Sequence, residues 1–252
     1  MPRTPIEFET LTLTEAPPLA LGHRGARLQA PENTLTSFEL ALQHGCDGFE
    51  CDLRLTADGR AVLCHDAEFL GLSVEHSDYA SLLAKGRENG RNRAPDGEVL
   101  PRLEDLISRF ASRAFVNLEL KIAGMAEVVM NALRGCGRER ILVSSFLPQA
   151  LAEVRRCDPS LVLGWICDER SQLHNWAQID CEVLIAHCPL VSPELVETIH
   201  SDDGRVLVWA AEQEKEIREL AEMGVDGIIS AHTELLVRTL KRPKARAAAL
   251  GR

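Results

Sequence analysis

No stretch of this chain approaches the roughly 18 consecutive apolar residues of a membrane-spanning helix. The first fifteen residues also lack the basic start and apolar middle of a secretory leader, so a cytoplasmic location is expected. Basic charge is in short supply, with 28 Lys and Arg against 38 Asp and Glu and a net charge of −10. That balance argues against a general nucleic-acid or membrane-surface binder, and an anionic ligand would need a local cluster of cations. The eight cysteines include no C-x-x-C pair, and most sit inside apolar, strand-like runs. They read as small buried hydrophobes in a reducing compartment. No internal repeat or linker is present, and 252 residues with 45% hydrophobic content are enough for one large core, so a single domain over residues 1–252 is expected.

Strand-like and helix-like segments alternate along the chain, the pattern of a parallel sheet with crossover helices. The expected strands cover residues 19–22, 48–53, 114–120, 141–145, 161–166, 183–186, 206–209 and 226–230. A helix is expected over 34–44, where Leu35, Phe38 and Leu42 recur at helical spacing, with Asn33 or Thr34 as N-cap and Gly45 closing it. Eight strand–helix units in about 250 residues match the size of a (β/α)8 barrel, the α/β fold expected here.

One stretch breaks the alternation. The Asp58-Gly59 pair lies between two strand-like arms, a hairpin signal. With those two as the whole loop, His65 falls opposite Asp52, so Glu50, Asp52 and His65 converge on one face. The alternative, that residues 60–65 form a barrel strand of their own, stays open. From residue 68 to 100 the chain is polar, with Gly86, Asn89, Gly90, Asn92, Pro95 and Gly97, and too long for an ordinary connection. This small insertion reads either as a lid over the site or as a mobile surface segment. The basic tail from Lys241 to Arg246 reads as a solvated end, with binding to an anionic surface as the second reading.

Against this apolar frame, polar residues stand at strand ends: Gly22-His23-Arg24-Gly25, Glu50-Cys51-Asp52, His65-Asp66 and Glu119-Leu120-Lys121. Burying charge costs several kcal/mol unless it is paired or bound to metal. Glu50 and Asp52 alternate with Cys51 and so emerge on one face of a strand, as do Glu119 and Lys121. Three carboxylates converging at a barrel mouth repel unless a cation sits among them, and all-oxygen ligation favours Mg²⁺ or Ca²⁺. The bland alternative is an ordinary Glu119–Lys121 ion pair with Glu50 exposed. His23 and His65 form a proton-transfer pair, because imidazole titrates near neutrality. Arg24 supplies a fork of donors and Lys121 a point charge for an anion such as phosphate. The other six histidines, His44, His76, His174, His187, His200 and His232, lack such company and read as structural or surface residues.

These motifs, in order with Pro31-Glu32-Asn33-Thr34, Ser144-Ser145-Phe146 and Gly224-Val225-Asp226-Gly227-Ile228-Ile229, resemble the glycerophosphodiester phosphodiesterase family over about residues 19–230. The resemblance implies a (β/α)8 barrel that hydrolyses glycerophosphodiesters to glycerol 3-phosphate and an alcohol. It implies that Glu50, Asp52 and Glu119 hold one divalent metal, that His23 and His65 are acid and base, and that Arg24 and Lys121 grip the phosphate. It further implies a supporting role for Glu32 and a pocket position for Trp209. Two departures stand out. Trp209 is followed by Ala210-Ala211-Glu212 where the family usually has Thr, a small apolar residue and Asn, and Ser230 is followed by Ala231-His232 where Asp and a nearby Pro are common. The metal and phosphate groups are untouched, whereas the identity of the leaving alcohol is open. Two other readings remain: a lysophospholipase D-like enzyme acting on a lipid phosphodiester, which needs an apolar groove in 68–100, and a barrel that senses a phosphodiester without cleaving it.

Overall fold

The computed structural model describes residues 17–89 and 99–240. The strands among them are β1 (Leu19–His23), β2 (Gly48–Leu55), β3 (Ala61–Leu63), β4 (Glu68–Phe69), β5 (Leu72–Ser73), β6 (Phe115–Leu120), β7 (Ile141–Ser145), β8 (Val162–Cys167), β9 (Val183–His187), β10 (Arg205–Trp209) and β11 (Gly227–Ser230). Eight of them, β1, β2 and β6 to β11, pair in parallel, and the pairing of β1 with both β2 and β11 closes the ring. Helices cross over between them, which makes a (β/α)8 barrel.

Strand parity decides which side chains meet the interior. On β2, Phe49, Cys51 and Leu53 face the helical layer, where Phe49 stacks on Phe38 at 4.1 Å between ring centroids and meets Phe110 edge-on at 5.1 Å. Glu50 and Asp52 therefore point inward. On β6, Val116, Leu118 and Leu120 face the helices, so Phe115, Asn117 and Glu119 point inward. The inner layer is apolar at the start of the strands, with Leu19, Leu21, Phe115, Leu142 and Ile185, and becomes charged only at their C-terminal ends. At the opposite rim, acids that immediately precede strands hold backbone instead. Asp47 accepts from the Ala20 N–H at 2.7 Å, Glu182 from Leu163 at 2.9 Å and Asp226 from Val206 at 2.7 Å.

Gly48 sits where β2 crosses closest to β6. A Cβ there would lie 1.8 Å from the Phe115 carbonyl oxygen, which belongs to backbone and cannot swing away. Gly48→Ala is expected to destabilise by about 1–3 kcal/mol. A urea midpoint equal to wild type would refute that account.

The helix α1 (Leu35–His44) is capped by Thr34, whose hydroxyl accepts from the Ser37 N–H, and ends at Gly45 with φ 101°. Thr34, rather than Asn33, is the N-cap. The hairpin differs from expectation by one residue. Leu53 faces Leu63, Arg54 faces Val62 and Leu55 faces Ala61, so Cys64 rather than His65 lies opposite Asp52. The Thr56 N–H donates to the Arg60 carbonyl at 2.9 Å, which leaves Ala57, Asp58 and Gly59 as a three-residue loop, with Gly59 left-handed at φ 75°. Thr56 Oγ1 also accepts from the Arg60 N–H and donates to Asp58 Oδ1, fixing this longer turn. The arm β3 is antiparallel to β2 and stands outside the closed ring, which settles the alternative of a ninth barrel strand.

Residues 68–89 and 99–100 are neither a structureless loop nor uniformly polar. They form the β4–β5 ribbon and the helix α2 (Tyr79–Asn89), and Phe69, Val74, Leu82, Val99 and Leu100 bury one another against Val62 of β3. Their irregular spacing conceals this small core in the sequence. The basic tail, the first fifteen residues, and Gly90, Asn92, Pro95 and Gly97 lie outside the described residues. Cys46, Cys51, Cys64, Cys167 and Cys181 are buried as expected, whereas Cys157 is exposed. No helix among the described residues is long and apolar enough to cross a membrane.

Candidate active site

The inward residues at the C-terminal strand ends converge. Glu50, Asp52 and Glu119 are all buried and offer carboxylate oxygens within 4.8 Å of one another. Adjacent strands in register bring them there, since Asp52 is level with Glu119, and Glu50 with His23 on one side and Asn117 on the other. Burial, then the charges of Asp52 and Glu119, pushes the Glu50 carboxyl well above its ordinary range. Burial and the Asp52 charge push Glu119 upward as well, against the pull of Lys121. Burial would also raise Asp52, but Arg24, Lys121 and a hydrogen bond from Asn33 outweigh it and hold that carboxyl below its ordinary value. Glu50 Oε1 is buried with no hydrogen-bond partner. An all-oxygen set with mutual repulsion and an orphaned acceptor fits a hard divalent cation such as Mg²⁺ or Ca²⁺.

Two cations flank the carboxylates. Lys121 Nζ lies 2.5 Å from Glu119 Oε1 and 3.4 Å from Asp52 Oδ1. Arg24 takes a left-handed backbone, φ 54°, that turns its N–H onto Glu50 Oε2 at 3.1 Å. Its guanidinium meets Glu32 through Nη1 at 3.0 Å and Asp52 through Nε at 3.1 Å, the latter an ion pair whose angle is too poor for a directed hydrogen bond. Both cations are thus held by carboxylates at the edge of the cavity.

His23 Nε2 lies 3.9 Å from Glu50 Oε2, and its Nδ1 is buried without a partner. Burial first, and the Arg24 and Arg27 charges next, push its pKa down to about 3, so the ring is neutral at physiological pH. His65 lies two residues beyond β3 and is about one-third exposed, with Nδ1 2.8 Å from Asp66 Oδ1. With the Asp66 oxygen as acceptor, Nδ1 is the donor and Nε2 is left outside this bond. Arg54 steadies this segment by donating to the His65 carbonyl at 2.9 Å.

Together His23, His65, Arg24, Glu50, Glu119 and Lys121 line a cavity of about 180 Å³, closed on its other side by Phe146, Ile166, Ile185, Trp209 and Ile229, with Asn117 also in its wall. Asp52 stands behind them, 1% exposed. A second cavity of about 430 Å³ adjoins it through His65 and runs between Glu32, Asn33, Asp66, Glu68 and Phe69. It is larger, but it is lined by none of Glu50, Asp52 and Glu119 and by only one of the two histidines.

A family model for the glycerophosphoryl diester phosphodiesterase family matches residues 23–235. The chain belongs to that family. Members hydrolyse glycerophosphodiesters, so the barrel is that of a phosphodiester hydrolase. A glycerophosphodiester phosphodiesterase of Caldanaerobacter subterraneus is 27% identical over 241 residues, covering 89% of this chain and 98% of the relative. A probable glycerophosphodiester phosphodiesterase 2 of Mycobacterium tuberculosis is 28% identical, covering 86% of this chain and 89% of its own. Among solved structures, a putative glycerophosphoryl diester phosphodiesterase of Silicibacter pomeroyi superposes with a TM-score of 0.81 at 26% identity, covering 94% of this chain and 98% of that one. An Oleispira antarctica phosphodiesterase in complex with the product sn-glycerol-3-phosphate gives 0.77 at 25% identity, covering 89% and 97%.

Several residues at this site escaped the sequence reading. Asn33, φ 56°, is 3% exposed and clasps Asp52, its Nδ2 donating to Oδ2 at 2.8 Å and its Oδ1 accepting the Asp52 N–H at 3.1 Å. Its place before an N-cap hid that job. Asn33→Ala leaves a buried carboxylate and a buried N–H short of partners, so a loss of about 1–3 kcal/mol is expected. An unchanged denaturant midpoint would show that water replaces the amide. His187, read as structural, tilts against the Trp209 ring at 5.0 Å between centroids. The two departures from the family pattern also prove to be one feature. The Glu212 carboxylate accepts from Ser230 Oγ at 2.9 Å and from the N–H groups of Ala231 and His232 at 3.2 and 3.3 Å.

Proposed function

We propose that this site carries out metal-assisted hydrolysis of a small, soluble glycerophosphodiester to sn-glycerol 3-phosphate and an alcohol. The observation that carries this reading is the one cavity in which His23, His65, Arg24 and Lys121 meet the Glu50 and Glu119 carboxylates, with Asp52 behind them. Glu50, Asp52 and Glu119 would hold one Mg²⁺ or Ca²⁺, which when bound supplies charge neutralisation for the phosphodiester. Arg24 retains guanidinium N–H groups beyond its contacts with Glu32 and Asp52, and these, with the Lys121 ammonium, orient the phosphate. Glu32 supports the site by fixing the Arg24 fork, and Trp209 walls the substrate pocket.

His23, neutral and buried, takes the proton of the attacking oxygen, whether of water or of the substrate's own 2-hydroxyl. His65, when its ring carries both protons with the Nδ1–H held by Asp66, would deliver the Nε2 proton to the departing alkoxide and be left neutral. Its place between the two cavities supports this division, because the alcohol then leaves through the larger one. Free thiols at Cys51, Cys64, Cys157 and Cys167 suit a reducing compartment, so the cytoplasm is the proposed location. The chain is read as one catalytic domain with residues 68–100 as an insertion within it.

The deciding experiment offers glycerophosphocholine and glycerophosphoethanolamine with Mg²⁺ or Ca²⁺ and follows glycerol 3-phosphate. Release that stops in chelator and returns with cation is expected. No release with either cation from any head group would favour the sensing barrel and overturn the reading. A lipid substrate is disfavoured by the insertion itself, where Val74 and Leu82 are fully buried in its own core.

A further inference from the structure

Two buried donors in the catalytic cavity have no acceptor. Asn117, 1% exposed, lines the cavity, and its Nδ2 makes no hydrogen bond; the Trp209 indole Nε1 in the same cavity makes none either. Orphaned buried N–H groups are rare in native interiors and call for an explanation. At Asn117 the orientation of the amide has a cause. Ser144 Oγ, itself fully buried, donates to Asn117 Oδ1 at 2.7 Å, which occupies the oxygen and leaves the NH₂ without an acceptor in the cavity wall.

Position and charge say what these donors await. Asn117 lies on β6 two residues before Glu119, level with Glu50 and one inward layer deeper than Asp52 and Glu119. Trp209 ends β10, and β6 and β10 stand four strands apart in the eight-stranded ring, on opposite sides of the cavity. Ile166, Ile185 and Ile229 line the wall they share. The charged groups are already matched, carboxylates to a cation and Arg24 and Lys121 to a phosphate. What remains is a pair of neutral donors across an apolar floor, suited to the neutral oxygens of a small polyol whose C–H backbone packs on isoleucine.

We propose that Asn117 and Trp209 read the two hydroxyls of the glycerol moiety, Asn117 Nδ2 donating to one and Trp209 Nε1 to the other, and so set the enzyme's preference for a glycerol ester over other phosphodiesters. The proposal rests on the substrate reading above and adds the groups that enforce it. A site built to hydrogen-bond a hydroxyl rejects the analogue that lacks it, because its own buried donor is then left unpaired.

The test is calorimetric titration of the Mg²⁺-loaded protein with sn-glycerol 3-phosphate and with the phosphate monoesters of propane-1,2-diol and propane-1,3-diol, each lacking one hydroxyl. Wild type is expected to bind either analogue about 10- to 100-fold more weakly. Asn117→Ala should weaken glycerol 3-phosphate by a similar factor and lose discrimination against one analogue, while Trp209→Phe, which keeps the ring, loses it against the other. Unchanged Mg²⁺ affinity in Asn117→Ala supports the assignment; a loss there would make Asn117 a support for the metal site and overturn it. Wild type that binds all three ligands equally overturns the proposal without relying on any variant. Wild type that neither hydrolyses glycerophosphocholine nor binds glycerol 3-phosphate overturns the substrate reading itself, and the proposal with it.

Discussion

Replacing His65 with alanine is expected to lower kcat/KM for glycerophosphocholine by about 10²- to 10⁴-fold, the usual worth of a positioned acid or base. The protein should remain folded with a near-native denaturation midpoint. His65 is partly exposed, lies beyond the end of β3 and gives its side chain only to Asp66, so its removal opens no cavity in the barrel. His23→Ala should cost a comparable factor in rate, but that ring is buried against Trp209 and its loss also disturbs packing. His65 is therefore the cleaner test. A proton donor to the leaving group has a further signature, since the loss should shrink for an ester whose alcohol is a good leaving group, such as a nitrophenol. A loss equal for choline and nitrophenyl esters would remove His65 from the acid's role, and wild-type rates would remove it from catalysis.

The second large effect concerns Glu50. Glu50→Gln is expected to abolish the thermal stabilisation that Mg²⁺ gives the wild type, roughly 5–10 °C for a chain of this size at a hundredfold excess over Kd. In chelator the order should invert. The variant should melt above wild type, because it removes a buried carboxylate that Asp52 and Glu119 repel while keeping an oxygen for the Arg24 N–H. The pH dependence follows from the same groups. Glu50 and Glu119 hold protons above the ordinary carboxylate value, so the stability linked to them is full below that value and is lost as pH rises through their raised values. Asp52 is depressed, and its contribution is lost in the other direction, as pH falls through its lowered value. Metal-free protein should therefore gain stability on mild acidification from neutrality, and the gain should vanish when Mg²⁺ is bound. Melting curves in chelator that fall steadily from neutral to acid pH would contradict this balance.

Much of this geometry was legible because β-strands alternate. Glu50 and Asp52 around an apolar Cys51, and Glu119 and Lys121 around Leu120, identify an inward polar face without any knowledge of the partner strands. What escaped depends on contacts between distant segments. The hairpin register turned on Thr56 bonding to Arg60 instead of leaving a two-residue loop, a choice between turns of similar sequence preference. Asn33 resembles a cap until Asp52 is placed beside it. Asn117 looks like one polar residue in an apolar strand until Ser144 of the next strand fixes its amide. Glu212 and residues 230–232 read as two unrelated departures until the carboxylate of one reaches the backbone of the other.

The arm β3 holds His65 from outside the ring and runs directly into the insertion, with the Leu63 N–H bonded to the Pro101 carbonyl and Arg54 bridging the His65 carbonyl to Glu75. Of the two histidines proposed to move protons, His23 is thus built into the barrel wall, while His65 follows an arm that packs against a small core of its own. The ribbon joins His65 directly along the chain, and Arg54 of β2 ties the same segment to the ring. A change in the insertion is therefore expected to move the proposed proton donor while Glu50, Asp52 and Glu119 stay where the barrel strands put them.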